Sequence, residues 1–420
     1  MPAEIAVTGL GLVTPAGHTP EENWTALCQG RSLAARDAEL AGLPVDFSCQ
    51  VTGFDATGEL GRPLARRTDR FIQFALVAAR RAVADAGLGG DLGPGGGGGV
   101  GAGGREELGE RVGVVLGVGS NSLSTYVPEF GHLGAGRPDR VSPLALPRSV
   151  PSMAAGEVAI DVGARGPNFT TASACASGTT ALGVARDLLR SGTCDIVLAG
   201  GSESARSRMT ATCFTRMRAL SRRRDEPSLA CRPFDARRDG FVLGEGAAVL
   251  VLERAADARA RRARVLAVLR GFGAGADAHH PVAPHPQGDG AVRAITAALR
   301  DADCGPGDVG HVQAHGTGTP LNDAAEAAAL TRVFGDAVPP VTAAKGVVGH
   351  ALGAAGAIQA ACTVLALRNG TVPPVANFEG QDGEHKLDIV AGVPRPAVGA
   401  GISCSFGFGG QNAVVLLTAD

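Results

Sequence analysis

The chain has 420 residues, 45% hydrophobic and 19% charged, with a formal net charge of −2, which is the composition of a globular protein long enough for two core-bearing domains or one duplicated unit. This balance removes the electrostatic case for a nucleic-acid partner, since no basic run exceeds Arg222-Arg223-Arg224 and Arg261-Arg262, which read as solvated faces. Nine cysteines, an odd number with no CxxC pair, argue against a disulfide framework or a zinc ribbon and fit a reducing cytoplasm.

In chain order, Ile5-Ala6-Val7-Thr8-Gly9-Leu10-Gly11 reads as an apolar strand entering a glycine turn, without the basic and apolar regions of a signal peptide. A helix follows at 20–30. The Gly9-Leu10-Gly11 pair lacks the third glycine and the acidic residue of a dinucleotide-binding unit. Capping residues Thr68 and Asp69 open a helical pattern through Ala79. Residues 87–104 are a Gly-dominated run without the GK[ST] ending of a phosphate loop, and read as a flexible surface insertion. Strands are expected at 112–117, 194–201, 247–253, 265–269 and 311–314, and helices at 149–162 and 291–302, an alternation that predicts helices covering a mostly parallel sheet. The longest apolar stretch, 353–367, is too short to span a membrane, carries Gln359, and reads as a buried helix. Near the C-terminus, Ile402-Ser403-Cys404-Ser405-Phe406-Gly407-Phe408 echoes the strand-Cys-glycine pattern around Cys175, which suggests two similar halves meeting near residue 260.

Three stretches carry chemistry. In Thr170-Thr171-Ala172-Ser173-Ala174-Cys175-Ala176-Ser177-Gly178, a β-branched approach ends in a cysteine at the start of a helical pattern. Unpaired backbone N–H groups and the helix dipole there favour the thiolate, so Cys175 is the candidate nucleophile; the other reading is a buried structural cysteine. In Ala314-His315-Gly316-Thr317-Gly318-Thr319, a histidine sits at a strand end, followed by Asp323 and Glu326 on one helix face. In Ala344-Lys345-Gly346-Val347-Val348-Gly349-His350, a second histidine leads into a helix of small residues. Lys345 and Lys386 are the only lysines of the chain. A cysteine can carry a thioester, two neutral imidazoles can donate to an oxyanion or assist proton transfer, and glycine-turn N–H groups can complete an oxyanion hole. Residue types alone also admit a papain-like cysteine protease, whose local signature is absent.

The chain resembles a β-ketoacyl synthase (ketosynthase) of the thiolase superfamily nearly end to end. The resemblance rests on Val7-Thr8-Gly9-Leu10-Gly11, Asp69-Arg70-Phe71-Ile72-Gln73, Gly166-Pro167-Asn168, Ala174-Cys175-Ala176-Ser177-Gly178, Ala199-Gly200-Gly201, Arg232-Pro233-Phe234-Asp235, Asp239-Gly240-Phe241-Val242-Leu243-Gly244-Glu245-Gly246, the two His motifs and Ser405-Phe406-Gly407-Phe408-Gly409-Gly410. It implies an α/β, duplicated five-layer α-β-α-β-α sandwich, with an N-terminal half over 1–260 and a C-terminal half over 261–420. By resemblance, Cys175 accepts an acyl group from the phosphopantetheine arm of an acyl carrier protein. His315 and His350 bind the malonyl thioester and promote its decarboxylation. The N–H groups of Cys175 and Phe408 form the oxyanion hole, Phe408 gates the acyl pocket, and Lys345 pairs with Glu326 and holds the His loops. Thr317 and Thr319 touch the pantetheine arm, with Phe406 also on the substrate side. The resemblance implies neither metal nor organic cofactor, so His279, His280 and His285 are loop residues. The chain departs from the family pattern at Gly346 and Val348, where Ser and Thr are common, and at Pro281-Val282-Ala283. Gly318 and Gln411-Asn412 lean toward polyketide-type members. An elongating synthase of type II polyketide or fatty acid synthesis, cytoplasmic and paired with an identical chain or a Cys-less chain-length-factor paralogue, is therefore expected. A non-catalytic chain-length-factor-like partner would lack the cysteine, and a degradative thiolase would use a second cysteine as base.

Overall fold

A computed structural model describes residues 3–92 and 108–420; of the Gly-rich run 87–104, residues 93–104 lie outside the described residues. Ten strands carry the fold: β1 (Ile5–Val13), β2 (Val112–Gly117), β3 (Asn168–Thr171), β4 (Ile196–Ser204), β5 (Glu245–Arg254), β6 (Ala267–Ala276), β7 (Val309–Gln313), β8 (Val341–Thr342), β9 (Ala400–Gly407) and β10 (Gln411–Thr418). The first five lie in the order β3-β2-β4-β5-β1 and the second five in the order β8-β7-β9-β10-β6, the same permutation twice. In each set the first two pairings are parallel and the last two antiparallel. The sheet is thus mixed rather than mostly parallel. Strand lengths and apolar patterns could locate the strands, but β5 and β10 each return antiparallel beside an earlier strand, and that depends on non-local pairing. The two sets meet where Ile5, Ala6 and Val7 of β1 pair with Leu269, Val268 and Ala267 of β6.

Six helices complete the layers: α1 (Arg70–Asp85), α2 (Ser152–Val162), α3 (Ser177–Arg190), α4 (Asp289–Asp301), α5 (Pro320–Phe334) and α6 (Ala355–Asn369). Helices α1 and α2 cover the outer face of the first strand set, α4 and α5 flank the second, and α3 and α6 lie between the two. This is the duplicated five-layer sandwich of the thiolase type. The expected 149–162 helix is broken at Val150 and Pro151, where the ring removes a backbone donor and biases the preceding residue to an extended conformation. Expectation and structure agree closely for the helix Pro20–Gln29, whose capping box joins Thr19 and Glu22 and whose end is marked by Gly30 in the left-handed region.

Position for the chemistry comes from the central helices. Helix α6 is buried along nearly its whole length, as an apolar helix enclosed on all sides must be. Its first turn and that of α3 touch at two glycines. A Cβ on Gly178 would lie 2.6 Å from the Ala357 nitrogen, and one on Gly356 would lie 2.3 Å from Thr179 Oγ1. The stretches just before these helices, one from each strand set, are thereby brought together. Gly178→Ala is expected to force the helix starts apart, lowering stability by about 1–3 kcal/mol and slowing any reaction that uses residues from both stretches. Thermal denaturation and turnover of the variant check this.

Candidate active site

Cys175 lies in the turn Ala174–Ala176, immediately before α3. Ala174 has a positive φ of 48°, and Ser177 stabilises the turn by donating to the Ala174 carbonyl and accepting from the Ser173 N–H. β3, which leads into it with the β-branched Thr170 and Thr171, is a half-exposed edge strand. The Cys175 thiol is buried, as are His315 and His350. One ligating atom of each side chain lies within 4.8 Å of those of the other two. His315 follows β7, and His350 precedes the turn Leu352–Ala354 that starts α6. Their rings meet edge to face at 5.5 Å, with Phe406 5.9 Å from His315 and Phe241 5.2 Å from His350.

Both imidazoles are held in one tautomer. His350 Nδ1 accepts from the Leu352 N–H at 3.1 Å. His315 Nδ1 lies 3.1 Å from Lys345 Nζ, which also donates to the His315 carbonyl at 2.6 Å and to Gln359 Oε1 at 2.5 Å. An ammonium has three hydrogens for these three acceptors, so Nδ1 of each ring is an acceptor and Nε2 carries the proton. Burial pushes both imidazoles well below their ordinary pKa, and the Lys345 charge adds to this, so they are neutral donors. A metal ion would need at least one free ring nitrogen lone pair, and the two Nδ1 lone pairs are already engaged. The donor set fits an oxygen that gathers negative charge better than it fits a cation.

Burial also decides the state of the candidate nucleophile. The sequence reading expected the helix start to favour the thiolate; instead desolvation raises Cys175 to about 11, against the opposing pull of Lys345 and of the Phe408 and Cys175 N–H groups. The resting group is a thiol. Those two N–H groups converge on the Cys175 sulfur from the turn before α3 and from the turn Phe408–Gly410, and a pair of this kind can hold an oxyanion formed at a carbonyl attacked by sulfur. The Phe408 ring is half-buried and stands 6.1 Å from Phe214.

The expected Lys345–Glu326 pair is not formed. Glu326 instead accepts from the backbone N–H of His315 at 2.7 Å and of Gly316 at 2.8 Å, and burial raises its carboxyl to about 7. The two charges attract each other across the loop, but the hydrogen bonds of the lysine go to His315 and to an amide. Gln359 was legible in the sequence only as one polar residue in an apolar run, yet its Nε2 donates to the Ala314 and Cys404 carbonyls while its oxygen receives Lys345. Asp323 closes the same loop, accepting from the Phe234, Thr317 and Gly318 N–H groups. Thr317 and Thr319 lie together, their hydroxyls 3.0 Å apart, and Thr319 caps α5. His279 and His280 lie exposed and His285 half-buried on a separate loop.

Comparison with known proteins agrees with this arrangement. Residues 3–258 match the family model for the N-terminal domain of β-ketoacyl synthases and residues 266–379 that for the C-terminal domain. A 3-oxoacyl-[acyl-carrier-protein] synthase 2 of Synechocystis sp. is 38% identical over 418 residues, covering 98% of this chain and 97% of that protein. Among solved structures, the ishigamide ketosynthase/chain length factor superposes with a TM-score of 0.90 at 34% identity, covering all of both chains. A type II polyketide acyl-carrier protein in complex with its ketosynthase bound to the hexaketide does so with a TM-score of 0.87 at 29% identity, again over all of both chains. A buried thiol facing two neutral imidazole donors, on a duplicated sandwich matched from end to end by these enzymes, places the chain in the β-ketoacyl synthase family.

Proposed function

We propose that the chain is the catalytic ketosynthase of a type II polyketide synthase, condensing an acyl thioester with malonyl-acyl carrier protein to a β-ketoacyl-acyl carrier protein. The observation that carries the reaction is the convergence of Cys175, His315 and His350 from the two strand sets, with a division into halves over 1–260 and 261–420. In the first step the Cys175 sulfur attacks the acyl thioester carbonyl, the oxyanion is held by the Cys175 and Phe408 N–H groups, and the departing pantetheine thiolate takes the thiol proton. In the second, the malonyl carboxylate leaves as carbon dioxide and its electron pair forms an enolate, whose oxygen receives hydrogen bonds from Nε2–H of His315 and His350. The enolate carbon then attacks the acyl-Cys175 carbonyl. Collapse of that adduct breaks the carbon–sulfur bond, and the sulfur regains a proton. Lys345, Gln359, Glu326 and Asp323 hold the His315 loop, while Thr317, Thr319 and Phe406 lie on the side that the pantetheine arm approaches.

Gly318 and Gln411-Asn412 support the polyketide pathway, as does likeness to the ishigamide and hexaketide-bound ketosynthases. The identity to the Synechocystis synthase favours a second reading, elongation in type II fatty acid synthesis. The free thiol weighs against a non-catalytic chain-length-factor role. The partner chain, identical or a chain-length-factor paralogue, would cover the free edge of β3 and the exposed Phe169, Val127, Phe130, Leu133 and Leu146. All nine cysteines are free, in keeping with a cytoplasmic setting. Incubation with acyl- and malonyl-carrier proteins, alone and with the cognate partner subunit, tests the reading. Carrier-bound poly-β-keto chains are expected in the absence of any ketoreductase; a single condensation, elongated further only when a reductive cycle is supplied, would support the fatty acid reading, and absence of carbon dioxide release would contradict both.

A further inference from the structure

Glu203 is a buried carboxyl group whose charge helps to raise the Cys175 thiol, and the steps above do not use it. Such a group is costly inside a protein unless its oxygens are fully engaged. Here they are engaged entirely by donors from two turns. Oε2 accepts from the Gly119 N–H at 2.7 Å, Oε1 lies 3.4 Å from the Ser120 hydroxyl, and a Cβ on Gly119 would lie 3.0 Å from both Glu203 Oε2 and the Gly353 nitrogen, which places the Gly353 N–H beside the carboxylate. Glu203 stands near the end of β4, and the Leu352–Ala354 turn rests on the same face of that strand, since a Cβ on Gly201 would lie 3.1 Å from the Gly353 carbonyl and from Ala354 Cα. Within the turn, Leu352 has a φ of 43°, a left-handed conformation that a branched side chain disfavours and that the surroundings must impose. That same residue's N–H is the donor that fixes His350 Nδ1.

We propose that Glu203 is a positioning residue for His350: by holding the Gly353 N–H it keeps the strained Leu352 turn in place, so that the Leu352 N–H pins the imidazole with Nε2–H facing the reacting carbons. The residue acts across the two strand sets, from β4 of the first to the turn before α6 of the second. This inference rests on the assignment of His350 to the decarboxylation step. It predicts a division of labour, because acyl transfer to Cys175 uses the Cys175 and Phe408 N–H groups and not His350.

The test is Glu203→Gln, which keeps the shape but sets an amide N–H₂ against one of the backbone donors. Malonyl decarboxylation and condensation are expected to fall by about tenfold to a hundredfold, while the single-turnover rate of Cys175 acylation does not fall, because losing the Glu203 charge also eases ionisation of the Cys175 thiol. In a His350→Ala background, the same substitution is expected to change the residual decarboxylation by less than about twofold. Glu203→Asp, which retains the charge but withdraws it by one methylene, is expected to show the same division. Equal losses in acylation and condensation, or a Glu203→Gln effect undiminished without His350, would overturn the proposal. So would loss of cooperative folding in both Glu203 variants, which would make the carboxylate a requirement of the core. A His350→Ala enzyme that decarboxylates normally would instead sink the assignment of His350 itself.

Discussion

Cys175→Ala is expected to lower acyl transfer and condensation by at least about 10⁴-fold, with the unfolding midpoint within about 2 °C of the parent. Among the described residues, the Cys175 sulfur is the thiol grouped with both imidazoles, so in the proposed reaction its loss leaves the acyl group without an acceptor there. Alanine keeps the backbone of the turn Ala174–Ala176, whose geometry is set by Ser177 and Ala174 and not by the thiol. Incubation with acyl-carrier protein followed by intact-mass measurement should show an acyl increment on the parent and none on the variant. An increment on another residue, or condensation by the variant, would contradict the assignment.

Lys345→Met should produce the second large effect, on both stability and rate. The ammonium serves three buried acceptors: the His315 carbonyl, His315 Nδ1 and Gln359 Oε1. Methionine has a similar length and no donor, and each abandoned acceptor costs about 1–3 kcal/mol, so a loss of about 3 kcal/mol or more is expected. The imidazole of His315 is then free to turn or change tautomer, and condensation should fall by about a hundredfold. Burial lowers the Lys345 pKa to about 8. As pH rises through that value the amine retains two hydrogens for three acceptors, so condensation should decline on a basic limb near 8. Stability moves in the opposite direction. Because the folded pKa lies below the ordinary value of 10.5, the unfolded chain binds more protons between the two values, and this group's contribution to stability rises with pH across that window. Rate–pH profiles check the point: the limb near 8 should be absent from Lys345→Met, and an unchanged limb in that variant would assign it to another group.

Local features of the fold were legible in the sequence where a short-range rule applies. The capping box at Thr19 and Glu22, the glycine after the helix Pro20–Gln29 and the Asp69 cap of α1 are all written within a few residues. The strand-cysteine-helix succession at Cys175 was visible in the same way, but its echo near Cys404 is not the repeat: Cys175 follows β3, whose counterpart in the second set is β8, whereas Cys404 lies within β9, the counterpart of β4. What escaped depends on residues distant in the chain. The antiparallel returns of β5 and β10 follow from pairing with β1, β4, β6 and β9 across long separations. Helix position alone suggested an activated thiolate, and complete burial of Cys175 reversed the sign. The family resemblance implied that Lys345 would pair with Glu326, and the fold gave each different hydrogen-bond partners. Gln359 stood out as a polar residue in an apolar run, but its meaning lay in carbonyls that come from other elements, and Glu203 was not singled out in the sequence at all.

In the proposed reaction one buried sulfur carries the acyl group and yields it to a carbanion formed beside His315 and His350. A single-turnover experiment tests it most directly: enzyme preloaded with an isotopically labelled acyl group is mixed with malonyl-acyl carrier protein, and Cys175-containing peptide, carbon dioxide and carrier-bound product are quantified together. The label should begin on Cys175 and leave it in step with one equivalent of carbon dioxide, appearing in a β-ketoacyl-carrier product. Label on any other residue, or carbon dioxide released while the acyl-Cys175 peptide persists, would contradict the account.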